Sequence, residues 1–154
     1  MFATLARGGL RLVPRIISTQ TPQARDIQLD PSAVDMAIKG LRGSTGADYG
    51  SGHSLRFADG TREPIFFAHE KYDIVGKTGT ADAPDLLGDE KDDDGKRLTL
   101  RDGDHSWFVV MVGPKGGRPL YVISVIMEYA GSGGRVSGPI VNQIIQALER
   151  EGYL

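Results

Sequence analysis

Two apolar segments in the second half of the chain constrain its fold more than any other feature. Residues 106–112 read Ser-Trp-Phe-Val-Val-Met-Val, and residues 120–127 read Leu-Tyr-Val-Ile-Ser-Val-Ile-Met. The residues between them include glycines and prolines typical of a turn, so the two segments are predicted to form an antiparallel β-hairpin. Both are apolar at nearly every position, which indicates burial on both faces with helices covering each side.

A helix is predicted before the hairpin. Asp30 and Pro31 form an N-cap followed by proline at the first helical position. Apolar residues then recur at helical spacing at Val34, Ala37, Ile38 and Leu41. Gly43 is suited to end the helix, which is therefore predicted over residues 31–42.

A second helix is predicted after the hairpin, from Pro139 to a stop at Gly152. Its apolar face consists of Ile140, Val141, Ile144, Ile145 and Leu148. The order of helix, strands and helix predicts an α+β domain, in which an antiparallel sheet carries helices on both faces.

Composition excludes several classes of function. The net charge of −2 argues against nucleic-acid binding. The absence of cysteine excludes disulfides, thiolate catalysis and cysteine metal sites. No apolar run approaches the ~18 residues of a membrane span, and the first residues lack the basic and apolar regions of a signal peptide. Residues 1–9 instead indicate the last turns of a helix stopped by Gly8 and Gly9.

The most polar strand-like segment of the chain is residues 71–81, which end in Gly76-Lys77-Thr78-Gly79-Thr80-Ala81. Glycines let a ligand approach the backbone, lysine supplies positive charge and threonines supply hydroxyl donors. A phosphate-binding P-loop needs a glycine five residues before the Gly-Lys pair, and position 71 is lysine. The pattern therefore indicates an anion-recognising site on a strand and not a nucleotide loop.

Residues 82–104 are rich in charge and are predicted to be a solvated loop. A calcium loop centred on Gly95 would begin at Glu90 and would need a bidentate glutamate where Arg101 stands. The histidines at positions 53, 69 and 105 lack the spacing of metal ligands. We expect neither a metal nor a cofactor.

Several segments together resemble one protein family, the penicillin-binding transpeptidases. Residues 74–81 resemble the family's Lys-Thr-Gly strand, and residues 105–108 resemble its next strand, which an aromatic pair enters after a variable loop. Residues 131–134 with Pro139 resemble the glycine loop before its last helix, and residues 2–9 resemble a helix end. The resemblance implies the C-terminal part of a class B-like domain of the serine acyl-transferase and β-lactamase superfamily.

The resemblance also implies roles for residues of the strand. Lys77 would place positive charge beside a serine nucleophile and a general-base lysine. Thr78 and Thr80 would bind the terminal carboxylate of a D-Ala-D-Ala stem peptide or of a β-lactam, and Gly79 would leave the strand edge bare. The backbone N–H of Thr80 would be one oxyanion-hole donor. Tyr49 and Ser51, in the loop before the motif strand, are further candidates for substrate contact. The resemblance also implies a location at the outer face of the bacterial cell membrane, where the family works.

Two of the family's three motifs are absent from the sequence. No serine is followed by lysine three residues later, and the only asparagine, Asn142, does not end a Ser-x-Asn motif. We expect residues 1–154 to be the C-terminal part of a transpeptidase domain whose upstream part supplies the nucleophile and the neighbour of the second hairpin strand. Three alternatives stay open: an intact short protein, an inactive β-lactam-binding or sensor module, and a β-lactamase-related fragment.

Overall fold

The computed structural model describes residues 1–68 and 70–154, so His69 lies outside the described residues. The helices are α1 (Phe2–Ala6), α2 (Pro31–Gly46) and α3 (Gly138–Arg150), and a π-helical turn at Gly133–Ser137 leads into α3. The strands are β1 (Leu10–Leu12), β2 (Ala24–Asp26), β3 (Ser54–Arg56), β4 (Arg62–Pro64), β5 (Tyr72–Ala81), β6 (Leu86–Lys91), β7 (Arg97–Arg101), β8 (His105–Pro114) and β9 (Tyr121–Met127).

The centre of the molecule is an antiparallel sheet in the order β5-β8-β9. The predicted hairpin is confirmed as β8 and β9, and the motif strand is confirmed as β5. The pairing places Lys77 opposite Val109 and Val109 opposite Ser124. Because side chains alternate between the faces of a strand, these three residues share one face of the sheet.

The main core lies on the other face, under α3. Its buried members include Phe108, Val110, Ile123, Val125, Val141 and Ile145. Phe66 meets Phe108 edge to face, with ring centroids 5.6 Å apart. The periodic apolar face predicted for the last helix is therefore confirmed as the one that packs on the sheet.

The face that carries Lys77 is covered only in part. Val75 and Met111 are buried there, beneath α1 and α2. Val122 and Ile126 of β9, however, are 38% and 50% exposed. The prediction that both faces of β9 are buried is therefore wrong for the described residues. Among the described residues, β9 pairs only with β8 and is therefore an edge strand. This agrees with the expectation that the second strand of the hairpin lacks a second neighbour in this chain.

Helix α2 continues past its predicted end at Gly43 to Gly46. Its start is as predicted, because the Asp30 carboxylate accepts a hydrogen bond from the Ser32 N–H at 2.9 Å. The extra turn contains Thr45, which is fully buried and donates its hydroxyl to the carbonyl of Ile74 in β5 at 2.6 Å. Contact with the sheet thus prolongs a helix that local sequence would stop.

Two further segments contribute to short strand pairs, and the second, residues 82–104, is the one that the sequence predicts to be a loop. β2 lies within residues 19–29 and pairs with β1. β6 and β7 pair within residues 82–104, and every residue of β7 is exposed. The second segment is therefore solvated as expected but is ordered as a two-stranded arm. The sequence does not predict these two strands, because charged residues interrupt the alternation of apolar residues on either side of the turn at Gly95.

One carboxylate, that of Asp73 at the start of β5, links α2 to the turn between β8 and β9. Asp73, 15% exposed, accepts hydrogen bonds from Arg42 at 2.9 Å and from the Gly116 N–H at 3.2 Å, and Lys115 lies 3.5 Å away. The Arg42 hydrogen bond outweighs the opposing effect of burial. With the Gly116 N–H and the charges of Arg42 and Lys115, it holds the pKa of Asp73 below its ordinary value of 3.8.

Asp73→Asn is expected to lower the free energy of unfolding by about 1–2 kcal/mol at pH 7, since charge-assisted hydrogen bonds are lost. A lowered pKa in the folded state contributes stability above pH 3.8 that is lost as pH falls through the lowered value. Urea unfolding measures the difference in the free energy of unfolding between Asp73→Asn and the unmodified protein. This difference should be present at pH 7 and disappear in strong acid. Asp94→Asn, in the exposed arm, is the control, and an acid-independent effect at Asp73 would contradict the assignment.

Candidate active site

The Lys-Thr-Gly residues lie in the second half of β5, at a free edge of the central sheet. β5 pairs with β8 on one side and with no other strand among residues 1–68 and 70–154. Lys77 and Gly79 face the partly open side of the sheet, whereas Thr78 and Thr80 face the loops that precede β3 and α3. An unpaired strand edge offers N–H and C=O groups to an extended ligand.

Lys77 is exposed and free of acidic partners in the described part of the chain. Its ammonium donates to the carbonyl of Thr78 at 3.0 Å. It lines a cavity of about 570 Å³ together with Trp107, Val109, Val122 and Ser124. A positive charge in mostly apolar surroundings, without a compensating carboxylate, is suited to attract an anion or an anionic reaction centre.

Thr78 is held by a residue from a separate loop. Its hydroxyl lies 2.7 Å from the Ser51 hydroxyl, and either group can donate. If Ser51 donates, the Thr78 proton is free for a ligand, and the two hydroxyls form a polarised chain. Ser51, one of the two loop residues considered from the sequence, thus contacts a motif residue directly.

Thr80 is held by the glycine segment before α3. Its hydroxyl accepts a hydrogen bond from the Gly133 N–H at 3.3 Å. A side chain at Gly133 would collide with the carbonyl oxygens of Gly79 and Trp107. Glycine is therefore required here by the close approach of two backbones, and this approach fixes the position of the loop beside the motif.

Two buried serines, which no sequence motif marks, anchor the same segment to β8. The hydroxyls of Ser106 and Ser137 lie 2.7 Å apart, and both residues are fully buried. Ser106 also donates to the Ser132 carbonyl at 3.1 Å and accepts from the Ser137 N–H at 3.2 Å. The two serines are 31 positions apart in the chain, so no local sequence pattern links them.

The aromatic residues near the motif have different environments. Trp107 is 44% exposed, lines the cavity beside Lys77 and donates its ring N–H to Ser124 at 3.0 Å. Nδ1 of His105 accepts the N–H of Tyr129 at 3.1 Å, and the rings meet edge to face. His105 therefore packs at the start of its strand. Tyr49 is 85% exposed.

One serine, Ser124, lies among the described residues that line the cavity beside Lys77. It lies two strands from Lys77, on β9, which corresponds to about 10 Å at normal strand spacing. The site therefore presents a positive charge, two threonine hydroxyls and a free strand edge.

Comparison with known proteins gives the family. The model of the penicillin-binding protein transpeptidase domain matches residues 1–146, so the chain belongs to this family. No curated protein matches the sequence. Among solved structures, the chain is similar to Pseudomonas aeruginosa PBP2, crystallised in complex with WCK 5153, with a TM-score of 0.57 and 22% identity.

This structural similarity shows a shared fold, an α+β penicillin-binding and β-lactamase-like architecture, which confirms the predicted fold class. It covers 94% of the chain but only 27% of the Pseudomonas protein, so the chain spans about a quarter of that protein's length. In the described part of the chain, every helix is too short or too polar to cross a membrane.

Proposed function

We propose that residues 1–154 form the Lys-Thr-Gly wall of a peptidoglycan D,D-transpeptidase that also binds penicillin. One observation carries the proposal: at the free edge of β5, a lysine without an acidic partner among the described residues lies beside two threonine hydroxyls, each held by a separate loop. Sequence outside these residues supplies the serine, its lysine base and the Ser-x-Asn motif. Residues 1–154 are then the C-terminal part of the catalytic domain.

The reaction assigns a task to each motif residue. The serine oxygen attacks the carbonyl carbon of the penultimate D-alanine, the peptide C–N bond breaks, and the terminal D-alanine leaves with a proton. An amine of a second stem peptide then attacks the ester, which forms the cross-link and releases the serine. Thr78 and Thr80 bind the terminal carboxylate, and the Thr80 N–H stabilises the oxyanion.

Lys77 contributes through its charge. An ammonium close to the serine and the base lysine favours the neutral form of that lysine and the alkoxide character of the serine. The same charge attracts the substrate carboxylate toward the threonines. Gly79 keeps the strand edge clear for the acyl chain. The reaction requires neither metal nor cofactor, and its substrate places it at the outer, periplasmic face of the cell membrane, in cell-wall synthesis.

The location of the nucleophile can be tested with fluorescent penicillin. Recombinant residues 1–154 should not be labelled covalently, because the chain has no Ser-x-x-Lys motif. An antibody against residues 1–154 should isolate from native cells a species that is labelled, on a longer polypeptide or on a bound partner that carries the upstream motifs. Mass spectrometry of the labelled peptide should locate the label in a Ser-x-x-Lys motif.

A binding or sensor module without chemistry is the second candidate, favoured by the absence of Ser-x-x-Lys and Ser-x-Asn from the chain. Under that function, the native species would be a polypeptide of these residues alone that penicillin does not label. Covalent labelling of recombinant residues 1–154 would contradict both candidates, because each assumes that this chain contains no nucleophile.

A further inference from the structure

A second cavity, of about 370 Å³, lies on the threonine side of β5. Its walls come from the loop after α2, from β3 and from the segment that leads into α3. The polar side chains that line it are Tyr49, Ser51, Ser54, Arg56, Ser132 and Arg135. Its volume is within the range of small-molecule sites.

The charges in this cavity are unbalanced. Arg56 and Arg135 both line it, and no carboxylate does. Within residues 1–68 and 70–154, neither guanidinium has an ion pair or a hydrogen bond. Arg56 also lies opposite Arg62 across the β3–β4 pair, and like charges in that arrangement repel. A bound anion would relieve this concentration of positive charge.

The backbone that carries Arg135 is fixed. The residue lies in the π-helical turn that the buried Ser106–Ser137 hydroxyl pair ties to β8. Its neighbour Gly134 packs so closely on the Ser51 carbonyl that a side chain there would collide with it. A cation on a fixed backbone binds an anion with less ordering cost than one on a mobile loop.

One residue, Ser51, links the cavity to the proposed carboxylate site. Ser51 lines the cavity, and its hydroxyl lies 2.7 Å from that of Thr78. A ligand whose terminal carboxylate is held by Thr78 and Thr80 would therefore lie next to the arginine-lined cavity. Two anionic groups on one ligand would then be bound by adjacent sites.

We propose that Arg56 and Arg135 form a second anion subsite, which binds a further carboxylate on the ligand held by the Lys-Thr-Gly strand. The subsite rests on the proposed function and makes it more specific: the preferred ligands are acyl donors, peptides or β-lactams, that carry two carboxylates. A planar guanidinium binds a carboxylate through two parallel hydrogen bonds, which gives the subsite its selectivity over neutral groups.

The test compares ligands that differ by one carboxylate. Residues 1–154, labelled with ¹⁵N, are titrated with benzylpenicillin and with carbenicillin, which carries an additional side-chain carboxylate. A parallel pair of acetylated tripeptides ends in D-Ala-D-Ala and begins with D-glutamate or D-glutamine. We expect the dicarboxylate of at least one pair to bind about 5- to 10-fold more tightly in low salt, in line with one charge-assisted hydrogen-bonded pair. If the penicillins show this preference, the second carboxylate belongs to a β-lactam side chain. If the tripeptides show it, the second carboxylate belongs to the stem peptide.

Two variants localise the effect. Arg135→Gln should remove the preference for the dicarboxylate while leaving the affinity for the monocarboxylate within about twofold, and Arg135→Lys should restore part of it. Arg101→Gln, in the exposed arm and outside the cavity, should change neither.

The outcomes separate the subsite from the function on which it rests. If the two ligands of each pair bind with equal affinity and change the chemical shifts of Thr78 and Thr80, the proposed subsite is wrong and the carboxylate site stands. A preference that survives Arg135→Gln would also overturn it. If no ligand shifts any resonance of β5, the carboxylate site itself is contradicted and the subsite falls with it.

Discussion

Replacing Lys77 by alanine is expected to lower the rate of penicillin acylation of the native transpeptidase species by about 100- to 1000-fold. This is the usual loss when one preorganised electrostatic group is removed from an acyl-transfer site. Lys77 has no carboxylate partner among the described residues, and its ammonium donates a hydrogen bond to the Thr78 carbonyl. Its removal therefore breaks no structural ion pair there, and the loss should appear in the chemical step.

The measurement is the second-order rate constant of labelling by fluorescent penicillin. Lys39→Ala, which removes an exposed lysine of α2, is the matched control and should acylate at the normal rate. Lys77→Arg keeps the charge but changes its shape, so an intermediate rate is expected. Acylation of Lys77→Ala at the rate of the unmodified protein would show that the strand's lysine has no part in the reaction.

Gly133→Ala is expected to lower the free energy of unfolding by about 3 kcal/mol or more, because overpacking against rigid atoms is among the costliest single changes. The new methyl group would collide with the carbonyl oxygens of Gly79 and Trp107. Those two residues are paired in the β5–β8 ladder, so neither backbone can move without breaking sheet hydrogen bonds. The bond from the Gly133 N–H to Thr80 should be lost with the displacement.

Gly40→Ala is the matched control for Gly133→Ala and is expected to stabilise the chain. Gly40 lies inside α2, and a methyl group there would meet no atom within 4 Å. Alanine should therefore raise the free energy of unfolding by about 0.5–1 kcal/mol. Urea unfolding of residues 1–154, followed by the fluorescence of the single tryptophan, Trp107, compares the two variants. Equal small effects at both positions would contradict the close packing of the glycine segment on β5.

The features that sequence predicted correctly are those with a local periodic signal. The apolar runs of β8 and β9 and the turn between them identified the hairpin, and the spacing of apolar residues identified α2 and α3. The predictions failed where distant contacts override local preference. Thr45 extends α2 through a bond to Ile74, and charged residues hide the β6–β7 arm.

The same distinction applies to the site. The site residues that the sequence predicts, Lys77, Thr78, Gly79 and Thr80, form a short motif that is contiguous on one strand. The sequence makes Ser51 a candidate for substrate contact, but its hydrogen bond to Thr78 depends on how its loop returns to the sheet. The cavity that Arg56 and Arg135 line joins residues about 80 positions apart, since packing and not spacing creates it.

By itself, therefore, the sequence determined the hairpin, the two long helices, the Lys-Thr-Gly strand and the absence of a Ser-x-x-Lys nucleophile from this chain. The tertiary structure alone decided which groups surround that strand: Ser51 at Thr78, Gly133 at Thr80 and two arginines beyond them. It also decided that one face of β9 stays exposed. The physical reason is that periodicity reports which side of an element is apolar, whereas only packing determines what, if anything, covers it.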